Sequence, residues 1–465
     1  MLGDDVLYLS VRELGERIRA RKLSPVELTD AYLARSQKLG KQLNAYVTLT
    51  AESARAQAQA AEREIKSGKY RGPLHGIPYA VKDLIAVAGH PTTWGARPFK
   101  DQRFPADATI IKRLGDAGAI LLGKAAMIEL AGGFGYGSGA ASLTGAAINP
   151  WDASCWTCGS SSGSGAIVSA ALAAFAIGSE TWGSILCPAA HCGVTGLRPT
   201  YGRVSRHGAM ALSYSLDKLG PLARSVEDCA LVLAAIAGHD PADPASLPDA
   251  AYAPSTKLPA ARSLRVGWVT DQAQGMSSGV AAAFGVARAA LEKSGVTIAD
   301  TMLPSGPWGA AAWMVIECEG ASAFQSLIES GRIGEVSDPS LMTGAYVAAE
   351  IPASDLMRAF RIRQALVSKL DAVWDKFDVL VGPSRGETAY KLTTNLETAP
   401  DYPDPMGACG NFAGLPAIGV PCGLVGGLPI GLQFLAAPLE EAKIISIAGH
   451  FEKITDWHTR RPPLA

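Results

Sequence analysis

The stretch Gly159-Ser-Ser-Ser-Gly-Ser-Gly-Ala-Ile-Val-Ser-Ala170, continued by Gly178-Ser-Glu-Thr-Trp-Gly-Ser-Ile185, decides how this chain is read. Serine and glycine in such density suggest a flexible linker. Yet the segment runs straight into an apolar run, Ala166 to Ile177, which linkers do not usually do. That run is interrupted by Ser169 and is too short for a bilayer, which needs about 20 residues; it reads as a buried helix. Glycine lowers the cost of unusual dihedrals, so the flanking turns are built for a close backbone approach.

Short apolar runs surround this centre and alternate with helical patterns. Ile77-Pro-Tyr-Ala-Val81 leads into a loop, Ala108 to Ala117 reads as a helix and Ala119-Ile-Leu-Leu122 as a buried strand. Further on, Leu264 to Val269, Val379 to Val381, Ala417 to Val420 and Leu432 to Leu435 read as strands. Between them Ala282 to Lys293, Ala311 to Ser330 and Ala353 to Phe377 read as helices. The alternation predicts an α/β fold, a mixed twisted sheet covered by helices on both faces. Ser10-Val-Arg-Glu13 is a capping-box pattern, and Ser24-Pro-Val-Glu27 places proline at a first helical position. The chain is expected to form a single domain over 1–465, with a Pro-, Ala- and Asp-rich surface linker at about 238–263 inside it.

Composition narrows the function. Apolar residues make up 48% of the 465 and charged residues 18%, enough for a large core without metals or disulfides. A formal charge of −1 gives no general attraction to nucleic acid or to an anionic membrane. The expected partner is a small uncharged molecule. The acidic start Met-Leu-Gly-Asp-Asp-Val lacks a signal peptide's basic and apolar regions, and a cytoplasmic location is expected. Eight cysteines include Cys155-Trp-Thr-Cys158, which reads as buried free thiols, with a redox pair or half a zinc site as the alternative.

Three motifs compete for the chemistry. Gly159-Ser-Ser-Ser-Gly163 matches a nucleophile elbow centred on Ser161, with His450 and His458 downstream, but Trp151 to Trp156 before it is turn-like rather than a strand. Ser215-Leu-Asp-Lys218 matches S-x-x-K without its companion motifs. The third combines Ser160, Ser184 and a distant lysine, Lys82, in Gly76-Ile-Pro-Tyr-Ala-Val-Lys-Asp83. A lysine in water has a pKa of ~10.4 and is a poor base. The apolar flanks of Lys82 favour burial and hence the neutral amine, unless Asp83 pairs with it at the surface.

This third set resembles the amidase signature family. The resemblance extends to Leu121-Leu-Gly-Lys124, Asn149-Pro-Trp-Asp152, Leu219-Gly-Pro-Leu-Ala-Arg-Ser-Val-Glu-Asp228 and Asn411 to Cys422, followed by Gly427 to Gln433. It implies an amidase fold and a Ser–cis-Ser–Lys triad: Ser184 as nucleophile, Ser160 as the bridging serine with a cis peptide, and Lys82 as base. The backbone N–H groups of Thr181, Trp182, Gly183 and Ser184 would face the oxyanion. Gly132, Gly133, Phe134 and Tyr136, in a glycine loop, are expected to touch substrate, with Trp313 and Met314 nearby. Neither cofactor nor metal is implied.

The resemblance also bounds the substrate. Many members carry an arginine just after the nucleophile, whereas Leu186 and Cys187 follow Ile185 here. With no arginine to pair a carboxylate, neutral, apolar or aromatic amides are expected, and carbamates or aryl esters share their carbonyl geometry. Trp457 to Pro463 looks similar to the branch that hydrolyses nylon oligomers. A monomer or homodimer acting on a small-molecule amide or carbamate, with neither nucleic acid nor membrane, is the expected form. The alternatives are a glutamine-hydrolysing component of a tRNA-dependent amidotransferase and a non-catalytic protein of the same fold.

Overall fold

The apolar runs become strands of one sheet in the computed structural model, which describes residues 2–253, 258–271, 275–400, 402 and 404–464. In chain order the strands are β1 (Tyr46–Leu49), β2 (Pro78–Lys82), β3 (Ile120–Ala125), β4 (Phe175–Glu180), β5 (Thr195–Arg198) and β6 (Lys218–Ala223). The second half of the chain adds β7 (Val266–Val269), β8 (Ile298–Thr301), β9 (Val379–Pro383), β10 (Ala417–Val425) and β11 (Leu428–Leu435). They hydrogen-bond in the order β1-β3-β2-β4-β6-β5-β10-β11-β9-β7-β8. β2 runs parallel to β3 and β4, and β4 antiparallel to β6, so the sheet is mixed as expected. β2 and β4 are buried along their whole length, which explains why they read as continuous apolar runs rather than alternating ones.

Both capping patterns work as their spacing requires. Ser10 accepts from Glu13 N while the Glu13 carboxylate accepts from Ser10 N, and Ser24 accepts from Val26 N and Glu27 N. Four readings differ from the structure. The run Ala166 to Ile177 is not one helix: the helix Ser162–Ser169 ends and β4 starts at Phe175. A uniformly apolar run carries no periodicity to separate a buried helix from a buried strand. The helix expected over Ala311 to Ser330 breaks at Phe324, and Ala353 to Phe377 divides after Val367.

The fourth difference concerns the segment expected to be a surface linker. Residues 254–257 lie outside the described residues, but its first part is pinned to the body. Asp240 and Asp243 are buried. Asp240 Oδ2 accepts from Thr109 Oγ1 at 2.6 Å and from Ser205 Oγ at 2.5 Å, and Asp243 pairs with Arg206 at 3.3 Å. A Pro- and Asp-rich stretch reads as a linker when its carboxylates are assumed to be solvated; here they act as hooks.

The sheet order generates a test of the single-domain proposal. β5, from the first half, pairs with β10 through Arg198↔Ala417, so a chain ending at Gly238 leaves the edge of β5 unpaired. Such a fragment is expected to be insoluble and inactive. A soluble, active fragment, checked by gel filtration and amide hydrolysis, overturns that expectation.

Candidate active site

The sheet places the three residues before any side chain is considered. Val81 of β2 is registered with Ile177 of β4, so Lys82 emerges beside the turn that carries Ser184. The helix Ser162–Ser169 delivers Ser160 just before its start. Lys82 Nζ lies 2.6 Å from Ser160 Oγ, and Ser160 Oγ lies 2.9 Å from Ser184 Oγ. The Gly159–Ser160 peptide is cis. Ser179, which the sequence did not single out, takes a further contact with Lys82 Nζ at 2.9 Å.

Lys82 is fully buried. Burial disfavours its ammonium and brings its pKa down to about 7, while the charges of Asp217 and Glu180 pull in the opposite direction. Asp83 is not its partner. That carboxylate is buried on the other side, 3.0 Å from Lys124 Nζ and bonded to Thr93, so the surface Lys82–Asp83 pair does not form. Consecutive residues on a strand point to opposite faces, which separates the two charges. The amine can therefore hold Ser160 either as acceptor or as donor near neutral pH.

The turn that carries Ser184 is fastened from below. Glu180 is fully buried; one oxygen accepts from Ile185 N at 2.8 Å and Leu186 N at 3.0 Å. The other meets Arg198 Nη1 at 2.7 Å and Asn411 Nδ2 at 3.1 Å. Burial alone raises this carboxyl, but Arg198 and Lys218 outweigh it and hold the pKa down to about 2. Gly183 has φ +81°, the left-handed region that glycine enters without penalty, and this turns the chain between Trp182 and Ser184. Among the described residues the N–H groups of Trp182, Gly183 and Ser184 donate to no protein acceptor. Thr181 is held by its hydroxyl, 2.6 Å from Asp217 Oδ1, and Asp217 also accepts from Leu212 N and Ser213 N.

A cavity of about 780 Å³ opens over Ser184. Gly132, Gly133, Tyr136, Thr181, Trp182 and Gly183 line it, and so does Trp313. Phe134 and Met314 do not. Phe134 is buried edge-to-face against Phe324, 6.0 Å between ring centroids. Trp182 faces the cavity with its Nε1 donating to Asp404 Oδ2 at 3.1 Å. Cys318 belongs to a separate pocket beside Leu356.

Two features depart from expectation. Arg385 and Glu387 line the cavity as an ion pair at 2.8 Å, so a guanidinium is present although the positions just after Ser184 lack one. Nothing in Pro383-Ser-Arg-Gly-Glu387 signals this, because the residues reach the cavity only through the turn after β9. Cys158 is joined to Cys187 in a disulfide at the cavity wall; the other six cysteines are free thiols. The reading of Cys155 and Cys158 as buried free thiols holds for Cys155 alone, because the partner of Cys158 arrives on the helix after Ser184.

The rival motifs find no support in geometry. Ser161 Oγ is spent on the backbone of Ser179, while His458 lines a different cavity beside Tyr8. Ser215 Oγ has no hydrogen-bond partner among the described residues, and Lys218 Nζ donates to Thr181 O instead. No helix among the described residues is long and apolar enough to cross a membrane.

Comparison with known proteins agrees with this architecture. Residues 27–445 match the family model described as Amidase. The chain is 36% identical to a glutamyl-tRNA(Gln) amidotransferase subunit from Chloroflexus aggregans, covering 98% of this chain and 99% of that protein. Native peptide amidase from Stenotrophomonas maltophilia superposes with a TM-score of 0.87 at 34% identity, covering 98% of both chains. A 6-aminohexanoate cyclic dimer hydrolase gives 0.84 at 27% identity, over 98% of this chain and 99% of that one. The expectation of a monomer or homodimer acting on a small molecule, without nucleic acid, is corrected by the first of these. That relative is named as one component of an enzyme of glutamyl-tRNA(Gln).

Two outcomes test the site. If the neutral amine of Lys82 is required, turnover is absent well below pH 7 and rises as pH climbs through the pKa of about 7. A profile flat across this range, measured where chemistry limits the rate, removes Lys82 as base. Glu180→Ala leaves Arg198 buried without its counter-charge and should cost about 3–5 kcal/mol in denaturant unfolding.

Proposed function

This chain belongs to the amidase signature family and is an enzyme of amide C–N bonds, and we propose that it cleaves them through an acyl-enzyme on Ser184. The observation that carries this reading is the unbroken contact from Lys82 through Ser160 to Ser184, 2.6 and 2.9 Å, ending on an amine excluded from water. Neutral Lys82 draws a proton from Ser160, which takes one from Ser184 as its Oγ attacks the carbonyl carbon. The carbonyl oxygen gains charge in front of the free N–H groups of Trp182, Gly183 and Ser184, beside Thr181. The proton returns through Ser160 to the departing nitrogen. Water then releases the acyl group by the same relay.

For the substrate, the relatives favour glutamine, hydrolysed for its ammonia by one component of a tRNA-dependent amidotransferase. The name shared by relatives at 36% identity over nearly full length supports this reading. So does the charge pattern around the cavity. Glutamine carries a carboxylate and an ammonium; the wall offers the Arg385 guanidinium and the acid Glu387, with Asp404 held behind Trp182. A second reading, neutral apolar or aromatic amides and carbamates, is favoured by the indoles of Trp182 and Trp313 and the ring of Tyr136 on the same wall. The similarity to a peptide amidase also fits it.

Ser184→Ala and Lys82→Ala should each remove most turnover, and Ser160→Ala should be severely impaired, without the losses adding in double variants. Activity retained in Lys82→Ala but lost in Ser161→Ala would return the nucleophile-elbow rival. A hydrolysis panel of glutamine, malonamate, acetanilides, aliphatic amides and aryl carbamates separates the two substrate readings. If glutamine is the substrate, Arg385→Ala raises its KM and leaves an anilide unaffected. Preference for anilides or carbamates over glutamine selects the second reading.

A further inference from the structure

The wall between the two catalytic serines carries three residues that the amide chemistry leaves unused. Cys158 stands two positions before Ser160, and Cys187 three positions after Ser184. Their ligand atoms and a ring nitrogen of His191 all lie within 4.8 Å of one another. Cys187 and His191 are four residues apart on the helix Leu186–Cys192, so they share one face. Cys158 has φ +67°, a backbone region that non-glycine residues rarely enter, and it meets that face from the opposite side.

His191 adds the observation that points to a ligand. It is 1% exposed, and its Nδ1 has no hydrogen-bond partner among the described residues. Its Nε2 lies 3.3 Å from the Glu387 carbonyl. An imidazole protonated on Nε2 donates to that carbonyl and leaves the Nδ1 lone pair free, the arrangement that orients metal-binding histidines. Burial disfavours the imidazolium, which favours the neutral ring that a metal ligand needs. A buried lone pair without a partner is costly to keep, and a sulfur pair beside it supplies the rest of a soft ligand set.

We propose that reduction of the Cys158–Cys187 disulfide converts this wall into a binding site for a zinc-type divalent cation, held by the two thiolates and His191. With a phosphine reductant the S–S bond breaks, the phosphine is oxidised to its oxide with the oxygen of water, and water's two protons end on the two sulfurs. Binding then forms two metal–sulfur bonds and one metal–nitrogen bond and releases those two protons. The Cα atoms are 6.0 Å apart, a separation compatible with two sulfurs each ~2.3 Å from one ion. Three protein ligands leave a fourth position, and the cavity is the space beside Cys158 and Cys187. An ion there occupies the wall next to Ser184, so turnover falls when it binds.

The test uses the full chain, reduced with a phosphine, desalted without oxygen and titrated with Co²⁺ as a spectroscopic probe and then with Zn²⁺ by calorimetry. The expected result is a thiolate-to-cobalt charge-transfer band saturating at one ion per chain, displaced by Zn²⁺, with two protons released per ion. The oxidised chain should show none of this. Cys158→Ser, Cys187→Ser and His191→Ala should each lose the band, judged only for variants whose circular dichroism matches the parent. Cys155→Ser should keep it, which separates this site from the Cys155–Cys158 spacing. Absence of the band in the reduced chain, equal binding by the oxidised chain, or loss of binding in Cys155→Ser alone overturns the proposal. Binding is read independently of hydrolysis, so failure of the proposed activity leaves this test intact.

Discussion

A lysine amine held out of water constrains everything else at this site. An ammonium in an apolar interior is costly, and its neutral form is cheap only where no carboxylate stands against it. The fold meets this by surrounding Lys82 with serine hydroxyls, those of Ser160 and Ser179 in contact and that of Ser184 one step on. It turns the adjacent Asp83 to the other face of β2, where Lys124 neutralises it. Asp217 and Glu180 are close enough to pull the pKa upward, yet both are engaged elsewhere, Asp217 with Thr181 and Glu180 with Arg198. The result is an amine poised near neutrality rather than locked in either state.

Glu180 links that electrostatic arrangement to the fold. Its carboxylate receives the first two N–H groups after Ser184, Arg198 at the end of β5, and Asn411 from the helix Pro405–Phe412. One buried anion thus joins the Ser184 turn to a strand and to a helix from the far end of the chain. A buried pair of this kind adds little net stability against an apolar alternative, but removing one partner is severe. Its value here is geometric, since it fixes where Ser184 points.

The cavity has two characters. Its indole and phenol walls suit an apolar acyl or amine group, whereas Arg385, Glu387 and the nearby Asp404 offer charge. Trp182 joins the two, its ring in the cavity and its Nε1 on Asp404. Desolvation raises the pKa of the half-buried Asp404, the Arg385 guanidinium pulls it back down, and the Trp182 indole N–H adds a neutral donor. The charged pair and the aromatic lining therefore weigh on opposite sides of the substrate question, and both lie on one cavity.

What the sequence alone determined is chiefly local. Helix starts at Ser10 and Ser24 were legible because capping depends on residues three positions apart. The order of strands and helices was legible wherever periodicity differed between them, and failed over Ala166 to Ile177, where every residue is buried and the pattern is flat. The three candidate catalytic residues were named through family resemblance, not through spacing. Tertiary structure decided the rest: that Lys82 is dry and Asp83 faces away, that Phe134 turns into the core, that Cys158 meets Cys187 rather than Cys155, and that Arg385 reaches the cavity. Each of these is set by which distant segments exclude water or meet in space. Solvent exclusion and long-range proximity belong to the packed chain, so no window of sequence carries them.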